Sequence, residues 1–277
     1  MKFGFIMFPT AAAIRPGELG ALLEDRGFES LFFPDHTHIP DRTPEHFDIA
    51  GLPDEFKNGM DCFVALGAAA QATTTLKLGT AVALVTERDP IVTAKSVASI
   101  DVLSGGRMHF GVGPGWIFQE LRHHGVAPEE RFKVMRERVE AMQAIWTRKV
   151  ATYHGEFVNF DAVTSWPKPV QRPYPPILVA GNGPRVAERV VTYGDEWIPM
   201  VRPGVLEQIA HFKRTVRKPG SDEPIPVTLF GGDVEDVDAY RRAGVDRVLF
   251  WPRPRNRAGM TRLVDDIART LGRQMNQ

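Results

Sequence analysis

The chain has 277 residues, 43% of them hydrophobic, which is enough for a sizeable core, and one α/β barrel domain spanning 1–277 fits that length. Its 34 basic side chains balance 34 acidic ones, so no net field gathers nucleic acid or holds an anionic membrane surface, and the expected partner is a small molecule. Cys62 is the single cysteine, which excludes an internal disulfide and a multi-cysteine metal site; beside Phe63, Val64 and Leu66 it reads as a packing residue.

In chain order, the first predicted strand is Lys2 to Phe8. Its apolar run is too short for a secretory signal and stops at Pro9, and no later run approaches bilayer length, so a cytoplasmic location is expected. A helical stretch, Gly17 to Arg26, leads to a second strand, Ser30 to Pro34. The helix Phe63 to Thr73 precedes a third strand, Leu76 to Leu84; the helix Pro90 to Leu103 precedes a fourth, Arg107 to Val112. From Glu129 to Arg148, Phe132, Met135, Val139, Met142, Ile145 and Trp146 share one helical face. "VATYHGEFVNF", residues 150 to 160, alternates on both sides of His154-Gly155 and predicts a β-hairpin inserted before the fifth strand. The proline-rich stretch 166–176 then runs extended to strands Pro176 to Ala180, Glu196 to Val201, Pro226 to Phe230 and Arg247 to Trp251. A strand-then-helix rhythm demands parallel pairing with crossover helices, and eight such repeats closing on themselves predict a (β/α)8 TIM barrel.

Chemistry in such barrels collects at the carboxyl ends of the strands. "FFPDHTHIP", residues 32 to 40, places Asp35 and His36 where the second strand ends. These residues are either reactive groups or the hydrogen-bonding polar top of a loop. Two more strand ends carry glycines: Gly113 and Gly115 in "FGVGPGW", and Gly181, Asn182 and Gly183 in "VAGNGPRVAERV". Glycine lets backbone N–H groups wrap an anion, and a helix opening at Pro184 adds partial positive charge, so both loops are candidate phosphate sites. Pro114 removes a donor from the first loop, which leaves more of that work to the second. The pair His36 and His38 also has the His-x-His spacing of barrel metallohydrolases. A hydrolytic zinc site takes about three protein ligands, and the remaining histidines, His123, His124, His154 and His211 among them, do not fall at the ends of strands five to eight.

On "RGFESLFFPDHTHIP", "LKLGTAVALVTERDPIVTAKSVASIDVLSGGRMHFGVGPGW" and "KPVQRPYPPILVAGNGPRVAERVVTYGDEW", the chain resembles the luciferase-like monooxygenase superfamily from Met1 to about Met200. Within it, the likeness is to oxidoreductases that use the deazaflavin coenzyme F420. The resemblance implies a ring across the barrel mouth with its phosphate toward the fourth and fifth strand loops. It also implies a non-prolyl cis peptide near Ala81-Val82 beneath the ring, and His36 facing the ring's reactive edge. Histidine, with a reference pKa of about 6.5, suits proton exchange there. Asp35 is then expected to orient His36 or to bond to the cofactor, and His38 to be a loop residue at the entrance.

Two departures bear on substrate and charge. Sugar-phosphate dehydrogenases of this family carry a glutamate where Trp116 stands, so glucose 6-phosphate is not the expected substrate. Trp116 offers an apolar wall for a less polar one, or packs under its loop. "GDEW" puts Glu196 at the sixth strand, expected on the outer, amino-terminal side of the barrel. Arg253, Arg255 and Arg257 either form a solvated basic loop or reach an acidic cofactor tail. An FMN-dependent monooxygenase and a non-catalytic cofactor carrier are the alternative readings, and a homodimer is expected by analogy alone.

Overall fold

The structure is a computed structural model that describes residues 1–41 and 51–275. Its first half runs β1 (Lys2–Ile6), α1 (Pro16–Asp25), β2 (Ser30–Phe33), α2 (Asp54–Lys57), α3 (Cys62–Ala72), β3 (Lys77–Leu84), α4 (Pro90–Leu103), β4 (Met108–Gly113), α5 (Phe118–His123) and α6 (Arg131–Thr147). The hairpin β5 (Ala151–His154) and β6 (Asn159–Val163) follows, then β7 (Ile177–Ala180), α7 (Val186–Tyr193), β8 (Glu196–Ile198), α8 (Val205–Thr215), β9 (Thr228–Gly232), α9 (Val237–Ala243), β10 (Arg247–Phe250) and α10 (Arg257–Met275). Eight strands pair in the order β8-β7-β4-β3-β2-β1-β10-β9. Parallel bridges from Trp197 to Val227 and from Met200 to Phe230 carry β8 to β9 and complete the barrel. The predicted (β/α)8 architecture and the antiparallel hairpin before the fifth barrel strand are both present.

The apolar strands lack polar alternation because both faces are covered. Along β2, Leu31 and Phe33 join the layer between strands and helices, whereas Phe32 points into the barrel with Ile6, Leu178, Ile198 and Leu249. Helix starts are marked in the sequence. Asp89 caps α4 by accepting Val92 N–H at 2.8 Å ahead of Pro90, and Asp61 caps α3 by accepting Phe63 N–H at 2.9 Å and Val64 N–H at 3.0 Å.

Two expectations are corrected. Pro184 does not open the helix: α7 starts at Val186, after a turn in which Val186 N–H donates to Gly183 O at 3.1 Å. Glu196 sits at the amino end of β8, as expected, but inside and not outside, with only 5% of its surface exposed. The Arg247 guanidinium donates to it at 3.2 Å and Thr228 Oγ1 also bonds to it, which supplies a buried carboxylate with its partners. Among the described residues, no helix is long and apolar enough to cross a membrane.

Candidate active site

The carboxyl ends of the strands surround a cavity with two adjoining lobes of about 300 and about 480 Å3. The smaller reaches the glycine loops through Gly113, Gly115, Gly181 and Asn182; the larger reaches Asp35 and His36, and Ala81, Val82 and Trp116 belong to both. The structure thus brings together every candidate residue except Gly183, which belongs to the second loop but lines neither lobe. The walls are apolar almost throughout, with Phe8, Phe56, Phe230 and Trp251 around the larger lobe.

The floor is a local irregularity of β3. The peptide bond between Ala81 and Val82 is cis, and the pairing of β3 with β4 shifts register between Thr80 and Ala83. That displacement brings β3 so close to β4 that only glycine fits opposite. A Cβ on Gly111 would lie 2.0 Å from Thr80 O, and one on Gly113 would lie 2.5 Å from Val82 Cγ2. The second loop differs: a Cβ on Gly181 would meet nothing within 4 Å, and Gly181 has φ of +119°. Its backbone is therefore bare toward open space, where a ligand can approach. The Asn182 side chain is spent on the scaffold, bonding both the N–H and the C=O of Met200, at 3.1 and 3.0 Å. A cation that bonds to this loop is Arg202, whose guanidinium donates to Asn182 O at 2.7 Å. Arg253 and Arg255 are exposed on the loop after β10.

Pro34 ends β2 and releases Asp35 and His36 at the rim. Asp35 does not orient His36. Its two oxygens accept a bidentate fork from Arg88, at 2.7 and 2.6 Å, together with Leu84 N–H at 3.1 Å. Arg88 continues to Asp61 at 2.9 Å, so Asp35 is a strut tying the ends of β2 and β3 to the start of α3. The partner of His36 is Glu120 on α5: its Oε2 lies 2.8 Å from His36 Nδ1, and its Oε1 accepts Thr37 N–H at 3.2 Å. Burial works against the Glu120 charge, but the bond and charge of His36 outweigh it and lower the Glu120 pKa. An ionised Glu120 can only accept, so His36 carries a hydrogen on Nδ1 and leaves Nε2 as the ring nitrogen that Glu120 does not engage. Trp116 stands edge-on to the imidazole with ring centroids 5.7 Å apart, and Phe8 lies over it at 6.4 Å.

His38 belongs to a separate rim cluster, with Nε2 2.7 Å from His123 Nδ1, while Thr37 Oγ1 meets His124 Nε2 at 2.7 Å. Among the described residues, no three of His, Cys, Asp and Glu are grouped to hold a metal ion.

Sequence reasoning missed Glu120 and a second glutamate, Glu87, in the turn Val85–Glu87 after β3. Glu87 was open to the same strand-end rule that selected Asp35. Glu120 had no such signal, because it lies four residues beyond the Trp116 loop on a six-residue helix.

Comparison with known proteins gives the geometry a context. A model of the luciferase-like monooxygenase family matches residues 9–232. An uncharacterized protein of Mycobacterium tuberculosis is 37% identical over 98% of this chain and 99% of its own length. An F420-dependent glucose-6-phosphate dehydrogenase of Intrasporangium calvum is 31% identical over 82% of this chain and 67% of its own. An FMNH(2)-dependent dimethylsulfone monooxygenase of Pseudomonas putida is 35% identical over 39% of this chain and 30% of its own. Among solved structures, an F420-dependent secondary alcohol dehydrogenase in complex with an F420-acetone adduct superposes with a TM-score of 0.75 at 19% identity, covering 95% of this chain and 97% of that one.

Proposed function

The chain belongs to the luciferase-like monooxygenase family, and from that premise we propose that it is an F420-dependent oxidoreductase acting on a fairly apolar small molecule, with His36 handling the proton. The residues present fit a flat ring with an anionic tail. Ala81 and Val82 form an apolar floor shared by both lobes, and the bare backbone at Gly181 leaves room for a phosphate. When bound, the deazaflavin supplies the site that accepts or gives a hydride.

The protein's own part is positional. His36, its Nδ1 hydrogen anchored on Glu120, holds Nε2 ready to take the proton of a substrate hydroxyl or, once protonated, to return it. Phe8, Phe56 and Trp116 exclude water around it, which strengthens the ion pair formed when the imidazole gains a proton. Trp116 replaces a carboxylate with an apolar wall and favours a less polar substrate than a sugar phosphate. The single observation carrying this reading is the anchored imidazole at the rim of the same cavity that the glycine loops border.

Titration of the purified protein with F420 and, separately, with FMN tests the proposal, followed by turnover of a panel of apolar alcohols and enones. The expected result is tighter binding of F420 and hydride exchange with at least one panel member. His36→Ala should retain the cofactor yet lower kcat about 100- to 10 000-fold, the usual worth of a positioned acid or base. Preferential binding of FMN, with oxygen consumed during turnover, would replace the proposal by the monooxygenase reading that the Pseudomonas putida relative supports.

A further inference from the structure

Behind His36 lies a carboxyl group that this reading does not use. Glu87 is only 5% exposed, and neither of its side-chain oxygens meets a hydrogen-bond donor among the described residues. The nearby cations are committed elsewhere: Arg88 to Asp35 and Asp61, and Arg138 of α6 to the carbonyls of Val85 and Arg88 at 3.0 Å. The carboxyl packs directly beneath the glycine loop of the cavity, since a Cβ on Gly115 would fall 2.9 Å from Glu87 Oε1. Its neighbour is Glu120, the carboxylate that holds His36.

Two buried carboxylates side by side accept but cannot donate, unless one of them carries a proton. Glu120 is the ionised member, because it already receives His36 and the Thr37 N–H. We propose that Glu87 is a positioning residue for His36: as a carboxylic acid it donates its hydrogen to Glu120, fixes that carboxylate against Nδ1, and holds the pair at a single negative charge. This rests on His36 being the proton-handling group of the site. Burial, Glu120 and then Asp35 all push the Glu87 pKa up, against Arg88, to about 10.

Glu87 also borders an outer cavity of about 360 Å3, together with Arg88, Asp89, His124 and Arg138, and that cavity shares no lining residue with the two lobes of the site, while both Glu87 carboxyl oxygens are themselves shut off from solvent. When the proton leaves at alkaline pH, a second negative charge appears behind His36, facing Glu120 and Asp35 as like charges and Arg88 and Arg138 as the compensating cations; His124, its pKa lowered chiefly by burial, is neutral there.

The test is the pH titration of the His36 ring resonances, assigned by comparison with His36→Asn, in the free protein, in Glu87→Gln and in Glu87→Leu. The wild-type His36 signal should show a second, alkaline inflection that Glu87→Gln abolishes, because an amide still donates to Glu120 but never ionises. Among variants that fold, neutral-pH turnover should fall in Glu87→Leu and recover in Glu87→Gln; if Glu87→Leu does not fold, the Gln titration decides alone. An alkaline inflection that persists in Glu87→Gln, or a wild-type curve without one, would overturn the proposal. A chain that shows the Glu87-dependent inflection but binds neither F420 nor FMN overturns the functional reading and leaves the carboxyl pair standing.

Discussion

At the scale of single residues, the two missed glutamates carry opposite shifts, and the sign of each has a consequence. The Glu87 pKa rises from an ordinary value of 4.5 to about 10, chiefly through burial, with the charge of Glu120 next. The folded protein therefore binds this proton more tightly than the unfolded chain does. Its contribution to stability is complete below about 4.5, declines as the unfolded chain ionises, and is lost as the pH passes about 10. Urea midpoints measured from pH 5 to pH 9 should fall more steeply for the wild type than for Glu87→Gln, and parallel curves would mean that Glu87 ionises normally. His36 was legible because its place at a strand end is read directly from the chain. Glu120 was not, because the contact of α5 with the rim of β2 links positions 84 residues apart.

At the scale of elements, the glycines of β4 show how one sequence signal can have two causes. Gly111 and Gly113 sit in a motif that reads as a phosphate loop, yet both face the displaced segment of β3, where a side chain has no room. Gly113 still borders the cavity, so packing and site lining coincide in one residue. Gly111→Ala drives a methyl group into Thr80 O and should destabilise the fold by about 3 kcal/mol, the upper range for overpacking. Denaturant unfolding would check this, and a loss below about 1 kcal/mol would mean that β3 relaxes easily. The strand and helix periods located all eight barrel strands and four of the major helices to within a few residues. The start of α7 was misplaced because Pro184 is compatible with a preceding turn as well as with a first helical position.

At the scale of the whole molecule, charge is partitioned between the two ends of the barrel. The carboxyl end holds the two-lobed cavity. The amino end is closed by Arg247, which donates to Glu29 at 2.8 and 3.0 Å, to Glu196 at 3.2 Å and to Thr228 at 2.8 Å. Burial raises the pKa of Glu29, but the Arg247 bond and charge outweigh it and bring it down to about 2; for the more deeply buried Glu196 burial wins and the pKa rises. Arg247→Met would leave buried Glu196 with Thr228 alone and Glu29 with only its 3.6 Å pair to Lys2, and should destabilise the protein by about 3–5 kcal/mol, as breaking a buried ion network does. Cofactor affinity measured well below the melting range should stay unchanged, since the substitution lies at the opposite end from the cavity; a large change would show that the two ends are coupled.

The sequence by itself determined the barrel, because period and chain order are local properties that parallel pairing turns into one topology. It also placed His36 and the glycine loops at the mouth, because strand ends are counted along the chain. Only the tertiary structure decided the hydrogen-bond partners: Asp35 with Arg88, Glu120 with His36, and Glu87 beneath the glycine loop. These pairings depend on side-chain distances between segments remote in the chain, which neither residue type nor spacing encodes.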